Sequence, residues 1–185
     1  MFVEVVIRRA RTADVRHIRR LIDAYAGPGP RMLARSTVTL YEDVQEFWVA
    51  EDVRAAAPED ERRPQGRGGR VVGCGALHVM WEDLAEVRSV AVDKEYAGHG
   101  IGHRIVDRLL RTARELGVAR VFCLTFEVDF FARHGFEPIL GTPVSREVYD
   151  ELLRSYDEGV AEFLDLDRVK PNTLGNTRML LRLED

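Results

Sequence analysis

The sequence has few of the features that mark specialised protein classes. Only two cysteines, Cys74 and Cys123, occur among 185 residues, and both lie in strand-like apolar runs. This pattern argues against a secreted disulfide scaffold and predicts two reduced thiols in the core of a cytoplasmic protein. No apolar run approaches the roughly 20 residues that span a bilayer, and Glu4 precedes the first basic residues, which is the reverse of a secretory signal. Lys and Arg total 27 against 31 Asp and Glu, so the basic surplus of a nucleic-acid binder is missing. We therefore expect neither a membrane nor a nucleic acid as partner.

The remaining composition is that of an ordinary globular chain. Hydrophobic residues make up 45% and charged residues 31%, which suits one domain over residues 1–185. The low-complexity segment 54–70 is interpreted as a flexible loop between neighbouring strands. Elsewhere strand-like and helix-like patterns alternate, which predicts a mixed α/β fold. The predicted strands cover 3–8, 47–49, 71–80, 86–92, 121–126 and 179–183, and the predicted helices cover 12–26, 36–46, 100–116, 130–134 and 145–156.

The strongest local signal is a glycine-rich loop, 96–102 (YAGHGIG), between a predicted strand and an amphipathic helix. Glycines at alternate positions let the backbone approach a bulky anion, and the positive end of the helix lies behind them. A P-loop is excluded because no Gly-Lys-Ser/Thr follows, and His103 stands where the dinucleotide fingerprint needs its third glycine. Taken alone, the loop fits a pyrophosphate cradle and a tight helix-starting turn equally well.

Two blocks of sequence resemble the GNAT superfamily of N-acetyltransferases. Residues 90–102 are similar to the acetyl-CoA loop of that family, and residues 131–136 (FARHGF) resemble its second block, aromatic-x-x-x-Gly-Phe. A longer resemblance, to the acetyltransferase domain of the N-acetylglutamate synthases, is carried by residues 32–36, 47–49, 73–77, 85–92, 120–125 and 176–180. It implies a GNAT fold, in which helices flank a central mixed β-sheet and the parallel strands 87–92 and 121–126 splay apart around acetyl-CoA. It also implies the short, stand-alone type of synthase, since 185 residues leave no room for a kinase-like domain.

The resemblance implies acetyl-CoA as cosubstrate. The positions that match its binding site are Val90, Ala91, Val92, Gly98, His99, Gly100, Ile101, Gly102 and Phe131. Ala97 stands where the family commonly has Gln or Arg, so we expect the backbone amides of the loop to hold more of the pyrophosphate. No metal is expected, because the five histidines show no metal-ligand spacing.

Glu86 is the candidate general base. A base must remove a proton from the ammonium group of an amino acid before its nitrogen attacks a thioester, and Glu86 is an acid within an apolar strand beside the loop. It also matches the catalytic glutamate proposed for the family; the alternative is a structural carboxylate paired with Arg88. Phe131 stands where many GNAT enzymes have a tyrosine that acts as the general acid, and phenylalanine cannot donate a proton. Thr125 matches the hydroxyl that the glutamate synthases are proposed to use as the acid instead. The alternative for Thr125 is a β-branched residue of an ordinary strand.

The resemblance implies glutamate as the small-molecule substrate and the first step of arginine biosynthesis as the reaction. The α-carboxylate and the side-chain carboxylate of glutamate require guanidinium or backbone donors. Arg35 matches a family arginine that contacts the substrate. Gly175 stands where long synthases often have another arginine, so glutamine competes with glutamate if neutral amides hold the side chain. The other candidate substrate residues are Leu33, Arg88, Ser89, Lys170, Asn172, Asn176, Thr177 and Arg178.

Other functions stay open at this point. A GNAT enzyme acting on another amine, such as a protein N-terminus, and a non-catalytic acyl-CoA-binding module are the two alternatives. A homodimer is compatible with the sequence but not indicated by it. An acyl-enzyme through either cysteine is disfavoured, because no activating group lies nearby in the sequence.

Overall fold

The structure, a computed structural model, describes residues 4–26, 32, 35–56, 69–169 and 175–183. Strands and helices alternate along these ranges. The strands are β1 (Val5–Arg9), β2 (Phe47–Ala56), β3 (Gly69–Trp81), β4 (Leu84–Val92), β5 (Arg120–Thr125), β6 (Glu137–Pro138) and β7 (Thr177–Arg182). The α-helices are α1 (Val15–Asp23), α2 (Thr37–Glu42), α3 (Ile101–Glu115), α4 (Val128–Ala132), α5 (Arg146–Leu152) and α6 (Glu158–Phe163).

The strands form one mixed sheet in the order β1-β2-β3-β4-β5-β7-β6. β4 and β5 are the parallel pair, and their ladder joins 84–86 to 120–122. Both strands continue beyond these three residue pairs, to Val92 and Thr125, as expected for strands that diverge. This arrangement confirms the predicted α/β class with a mixed sheet and flanking helices.

The chain divides into two compact units. One contains the described residues of Met1–Gly27, Met32–Ala76 and Ser89–Leu109, and the other contains those of Leu77–Arg88 and Leu110–Asp185. β3, β4 and α3 contribute residues to both units. No helix within the described ranges has the length and apolarity needed to cross a membrane.

In the first unit, α1 and α3 cover apolar residues of the sheet. Val15, Ile18 and Ile22 recur at helical spacing and are buried in one cluster with Phe47 and Val49 of β2.

Two glycines of β3 allow α3 to lie close to the sheet. A Cβ atom at Gly73 or Gly75 would come within 2.9 or 2.7 Å of the Ile105 side chain. The close approach explains why glycine occupies both positions in an otherwise apolar strand.

In the second unit, α6 packs on the sheet. Val160 and Phe163 join Leu84 and Phe122 in a buried cluster, and the two phenylalanine rings meet edge to face with centroids 5.3 Å apart. This helix was not predicted from the sequence: the predicted helix 145–156 ends at Leu152, and α6 follows after a short turn.

The flanking strands extend into the segment that was predicted to be a loop. β2 continues to Ala56 and β3 begins at Gly69, so both ends of the predicted loop 54–70 belong to strands. Residues 57–68 lie outside the described part of the chain.

Candidate active site

The glycine loop of the first unit has the conformation that its composition predicts. Gly98 and Gly100 have φ values of +79° and +70°, which side-chain-bearing residues rarely adopt. A Cβ atom at either position would meet no atom within 4 Å, so the backbone at these glycines is accessible. α3 begins directly afterwards at Ile101, and the first N–H groups of a helix have no partner within it. The loop and this helix end therefore form a suitable site for a phosphate-bearing ligand.

Side-chain contacts hold the start of the loop. Tyr96 is buried, and its hydroxyl donates to Oδ2 of Asp52 at 3.0 Å. Burial and the bond to Asp52 raise the pKa of Tyr96 above its ordinary value. Arg70 lies over the Tyr96 ring and pairs with Asp93 at 2.8 Å. These contacts fix the point from which the loop extends.

The other predicted coenzyme residues of this unit have different surroundings. Nδ1 of His99 lies 3.1 Å from the Ala97 carbonyl oxygen, so this ring faces the backbone of its own loop. Ala91 is part of the apolar core, and the Val92 carbonyl accepts a hydrogen bond from Tyr25. Val90 and Gly102 are half-buried.

Ser89, a predicted substrate residue, interrupts the extended geometry of β4. Its φ is +56°, which is uncommon for a residue with a side chain. Its carbonyl oxygen accepts a hydrogen bond from the Cys74 thiol at 3.5 Å. Such strained positions are concentrated at functional sites.

In the second unit, Glu86 is buried on β4 beneath α6. Its side chain is 4% exposed, and its Oε2 lies 3.5 Å from Nη1 of Arg88. A Cβ atom at Gly159 would lie only 2.0 Å from this Oε2, so the carboxylate packs directly on the backbone of α6. A buried carboxylate is costly without compensation, and the Arg88 cation supplies it.

Asp157, which was not a predicted site residue, holds Arg88. Nη1 of Arg88 donates to both carboxylate oxygens of Asp157, at 3.0 and 2.9 Å, and His78 lies 3.8 Å from the same carboxylate. Burial alone would raise the pKa of Asp157, but the charge and hydrogen bond of Arg88, with smaller contributions from His78 and the Val160 N–H, lower it below its ordinary value. The carboxylate is therefore ionised at neutral pH. The Arg88–Glu86 pair that the sequence suggested is thus one part of a larger group of charges.

Thr125 lies at the end of β5 and is 7% exposed. Its Oγ1 accepts a hydrogen bond from the Glu127 N–H at 2.8 Å. The hydroxyl can still donate its own hydrogen to another group, because accepting this bond does not use it. The register places Thr177 of β7 directly opposite Thr125, and opposed residues share one face of a sheet.

Phe131 lies in an aromatic cluster. It is 7% exposed and meets Phe130 and Phe136 edge to face, with centroids 5.1 and 5.4 Å away. A direct contact between Phe131 and the coenzyme remains a prediction from the resemblance.

The predicted substrate cations differ in how firmly they are engaged. Nε of Arg178 donates to the Glu162 carbonyl at 3.1 Å, and its Nη2 donates to the Phe163 carbonyl, so Arg178 caps the C-terminal end of α6. Burial lowers the pKa of Arg178, and Asp165 partly offsets this effect. In the first unit, Nη1 of Arg35 lies 3.8 Å from Oδ2 of Asp43. This distance is longer than the 3.1 Å hydrogen bond of Arg178.

Asn176 is half-buried just before β7. Leu33, Lys170 and Asn172 lie outside the described residues.

Both cysteines are buried free thiols. Burial raises the pKa of Cys74 to about 12, and burial together with the charge of Glu86 raises the pKa of Cys123 well above its ordinary value. Neither provides a thiolate nucleophile near neutral pH. Among the described residues, no group of three or more His, Cys, Asp and Glu side chains is arranged to hold a metal ion.

Comparisons with known proteins identify the family of the chain. The profile of the Acetyltransferase (GNAT) family matches residues 32–136, more than half of the chain. The amino-acid acetyltransferase of Mycobacterium tuberculosis strain H37Rv is 61% identical over 178 residues, which cover 96% of this chain and 94% of that protein. An amino-acid acetyltransferase of Neisseria meningitidis is 30% identical over 72% of this chain and 27% of its own length.

Solved structures show the same fold. The crystal structure of Rv2747 from Mycobacterium tuberculosis, in complex with CoA and the ligand NLQ, has a TM-score of 0.83 at 60% identity and covers 97% of this chain and 99% of that one. The N-acetylglutamate synthase of Neisseria gonorrhoeae, complexed with coenzyme A and N-acetyl-glutamate, has a TM-score of 0.71 at 23% identity. It covers all of this chain, which corresponds to 36% of that longer one, and at this identity the likeness concerns the fold alone.

Proposed function

Because the chain belongs to the Acetyltransferase (GNAT) family, we propose that it is an amino-acid N-acetyltransferase that moves the acetyl group of acetyl-CoA to the α-amino group of L-glutamate or L-glutamine. Its extensive identity to an amino-acid acetyltransferase supports this assignment. The observation that carries the proposal is a buried carboxylate, Glu86, on the strand that leads into an accessible glycine loop at a helix start. Two buried free thiols suit the reducing cytoplasm in which such a reaction would run.

The glycine loop binds the diphosphate of the coenzyme. The positive φ values of Gly98 and Gly100 turn successive backbone N–H groups outward, and the N-terminal end of the 15-residue α3 adds its positive partial charge. Backbone donors suffice for this contact, which explains how the loop functions with Ala97 in place of a Gln or Arg. The buried Tyr96–Asp52 bond keeps the loop in place when the coenzyme leaves.

Glu86 accepts the proton that makes the amine nucleophilic. The substrate arrives as an ammonium ion, and its proton passes to the Glu86 carboxylate directly or through a water molecule. The neutral nitrogen then attacks the thioester carbonyl, a C–N bond forms, and the C–S bond breaks. Coenzyme A leaves as a thiolate, and the Thr125 hydroxyl is the group proposed to protonate it. The second proton that the nitrogen loses as the amide forms restores the Thr125 hydroxyl, and Glu86 releases its own proton to solvent. Arg88 keeps the charge of the buried Glu86 compensated between turnovers.

Two of the candidate substrate arginines form contacts within the fold, which leaves few guanidinium groups to bind the substrate. Arg88 pairs with Asp157, and Arg178 is held by two carbonyls of α6. Arg35, with its ion pair of 3.8 Å, is the cation proposed for the α-carboxylate. Thr177 and Asn176 then offer neutral hydrogen-bonding groups to the end of the side chain, and such groups serve an amide as well as a carboxylate. We therefore expect glutamine to be a substrate alongside glutamate; with glutamate the reaction would start arginine biosynthesis.

The test is an assay of thiol release from acetyl-CoA with each of the twenty amino acids. We expect turnover with glutamate, glutamine or both, and a product acetylated at the α-amino group by mass spectrometry. Turnover with lysine alone would contradict the substrate assignment. Binding of acetyl-CoA without turnover of any amino acid would instead indicate an acyl-CoA-binding module.

A further inference from the structure

We propose that Asp157 is a positioning residue for acetyl transfer, and that it acts by holding the Arg88 guanidinium at a fixed place beside Glu86. The inference rests on the proposed function, in which Glu86 is the base. Asp157 lies 71 positions from Glu86 in the sequence, and only the fold brings the two carboxylates to one guanidinium.

A single nitrogen atom links the two carboxylates. Nη1 of Arg88 is 2.9 and 3.0 Å from the two oxygens of Asp157, and the same Nη1 is 3.5 Å from Oε2 of Glu86. This nitrogen therefore donates to Asp157, while its positive charge acts on Glu86 from a longer distance. Because the Arg88 side chain is 5% exposed, solvent screens this charge little.

The carboxylate of Asp157 is itself held in place. Its Oδ1 accepts a hydrogen bond from the Val160 N–H at 3.1 Å, as the N-cap of α6. Its own N–H donates to Oγ of Ser155 at 3.1 Å. Val160 is buried in the apolar cluster of the second unit, so the packing of α6 fixes where Asp157 lies and thereby where Nη1 lies.

The consequence concerns the strength of the base. A carboxylate that accepts a close hydrogen bond from a guanidinium is stabilised in its charged form and accepts a proton less readily. While Asp157 takes the hydrogen bonds, Glu86 has a compensating charge nearby without that close bond. Without the Asp157 charge, we expect Arg88 to move onto Glu86, which would slow proton transfer and leave the coenzyme loop unchanged.

The experiment replaces Asp157 with Asn and with Ser. Both residues are good N-caps, so each keeps the bond to Val160 and removes the charged partner of Arg88. We expect kcat to fall tenfold or more, since general base catalysis contributes about 100- to 10,000-fold and a base that accepts the proton less readily loses part of it. We expect KM for acetyl-CoA to stay within about twofold, because the proposed effect of Asp157 is on proton transfer and not on coenzyme binding.

Asp83→Asn is the matched control. Asp83 forms an ion pair with Arg120 of 2.9 Å in the same unit, so this variant loses an Asp–Arg pair with no link to Glu86. We expect its kcat to stay within about twofold of the wild type, with circular dichroism confirming that every variant is folded. An equal fall of kcat in Asp83→Asn, or loss of the folded spectrum in both Asp157 variants, would assign Asp157 a general structural role and overturn the proposal.

A double-mutant cycle with Glu86→Gln separates the inference from the proposed function. If Asp157 acts through Glu86, then Asp157→Asn lowers the residual rate of Glu86→Gln by less than about twofold. A further tenfold fall in that background, or wild-type kcat in Asp157→Asn alone, overturns the role of Asp157 and leaves the proposed function standing. Full activity of Glu86→Gln itself would contradict the proposed function.

Discussion

Replacing Gly159 with alanine tests whether α6 packs on the catalytic carboxylate in the working protein. The new Cβ atom would lie 2.0 Å from Oε2 and 2.8 Å from Cδ of Glu86, whereas real Cβ atoms keep at least 3.0 Å from their neighbours. The two groups must therefore separate by 1.0 Å or more, the difference between 3.0 and 2.0 Å. Glu86 is part of a central strand and Val160 and Phe163 are buried, so the backbones on both sides are fixed and the carboxylate end of the Glu86 side chain is the group that must shift.

The expected effect on activity is larger than the effect on stability. A displacement of about 1 Å at a reacting group costs on the order of 100-fold in rate. Overpacking costs about 1–3 kcal/mol, and the better helix propensity of alanine returns up to about 1 kcal/mol. We therefore expect Gly159→Ala to lose about 0–3 kcal/mol in the free energy of unfolding, to remain folded, and to have a kcat lower by about two orders of magnitude.

The assay is thiol release at saturating acetyl-CoA, combined with thermal unfolding of the same samples. Glu158→Ala is the control, because Glu158 is the exposed neighbour in the same helix and should change kcat little. Wild-type kcat in Gly159→Ala would refute the reasoning, since the carboxylate of the active protein would then not lie against α6.

Three further predictions address the loop, the thiols and the acid stability. Gly98→Ala should weaken acetyl-CoA binding about 5–30-fold, because a left-handed conformation costs a side-chain-bearing residue about 1–2 kcal/mol. Gly141 has a similar φ of +75° and equally open surroundings, so the control variant Gly141→Ala should leave the affinity for acetyl-CoA unchanged. Ellman's reagent should label neither cysteine in the native protein and both in denaturant, since burial raises both thiol pKa values; rapid native labelling that abolishes activity would favour an acyl-enzyme. Burial alone would raise the pKa of Asp14, but Arg8 and the Arg11 N–H lower it below its ordinary value of 3.8. The ionised carboxyl therefore stabilises the fold above pH 3.8, and this stabilisation is lost as the pH falls through the lowered pKa. Asp14→Asn should therefore cost about 1.5–3 kcal/mol at pH 7 and progressively less below pH 4 in denaturant titrations; a pH-independent loss would contradict this reasoning.

The features that follow from local chemistry could be predicted from the sequence. The alternating glycines of residues 96–102 indicated a loop with accessible backbone, and the structure gives Gly98 and Gly100 the positive φ values that such a loop needs. Apolar residues at helical spacing identified α1 and α3, and Glu86 was identifiable as an acid in an apolar strand. These signals are contained within about fifteen residues each, so no tertiary information is needed.

The features that depend on distant contacts were missed. α6 has six residues, and most of its stability comes from packing on the sheet and not from propensity. Asp157 is 69 positions from Arg88, and no periodicity connects them. A local signal existed, since an Asp that precedes an apolar pattern at Val160 and Phe163 is typical of an N-cap. Nothing in the sequence indicated that this cap also contacts Arg88. The sequence offered Arg35, Arg88 and Arg178 as substrate-binding arginines, but Arg88 and Arg178 form contacts within the fold.

The most direct test of the account measures acetyl-CoA binding and turnover in the same Glu86→Gln protein. Glutamine keeps the size of the side chain against Gly159 and removes its capacity to accept a proton at neutral pH. We expect a dissociation constant for acetyl-CoA within about twofold of the wild type and a kcat lower by about 100- to 10,000-fold. Turnover at the wild-type rate with coenzyme binding intact would contradict the central claim that Glu86 is the base of acetyl transfer.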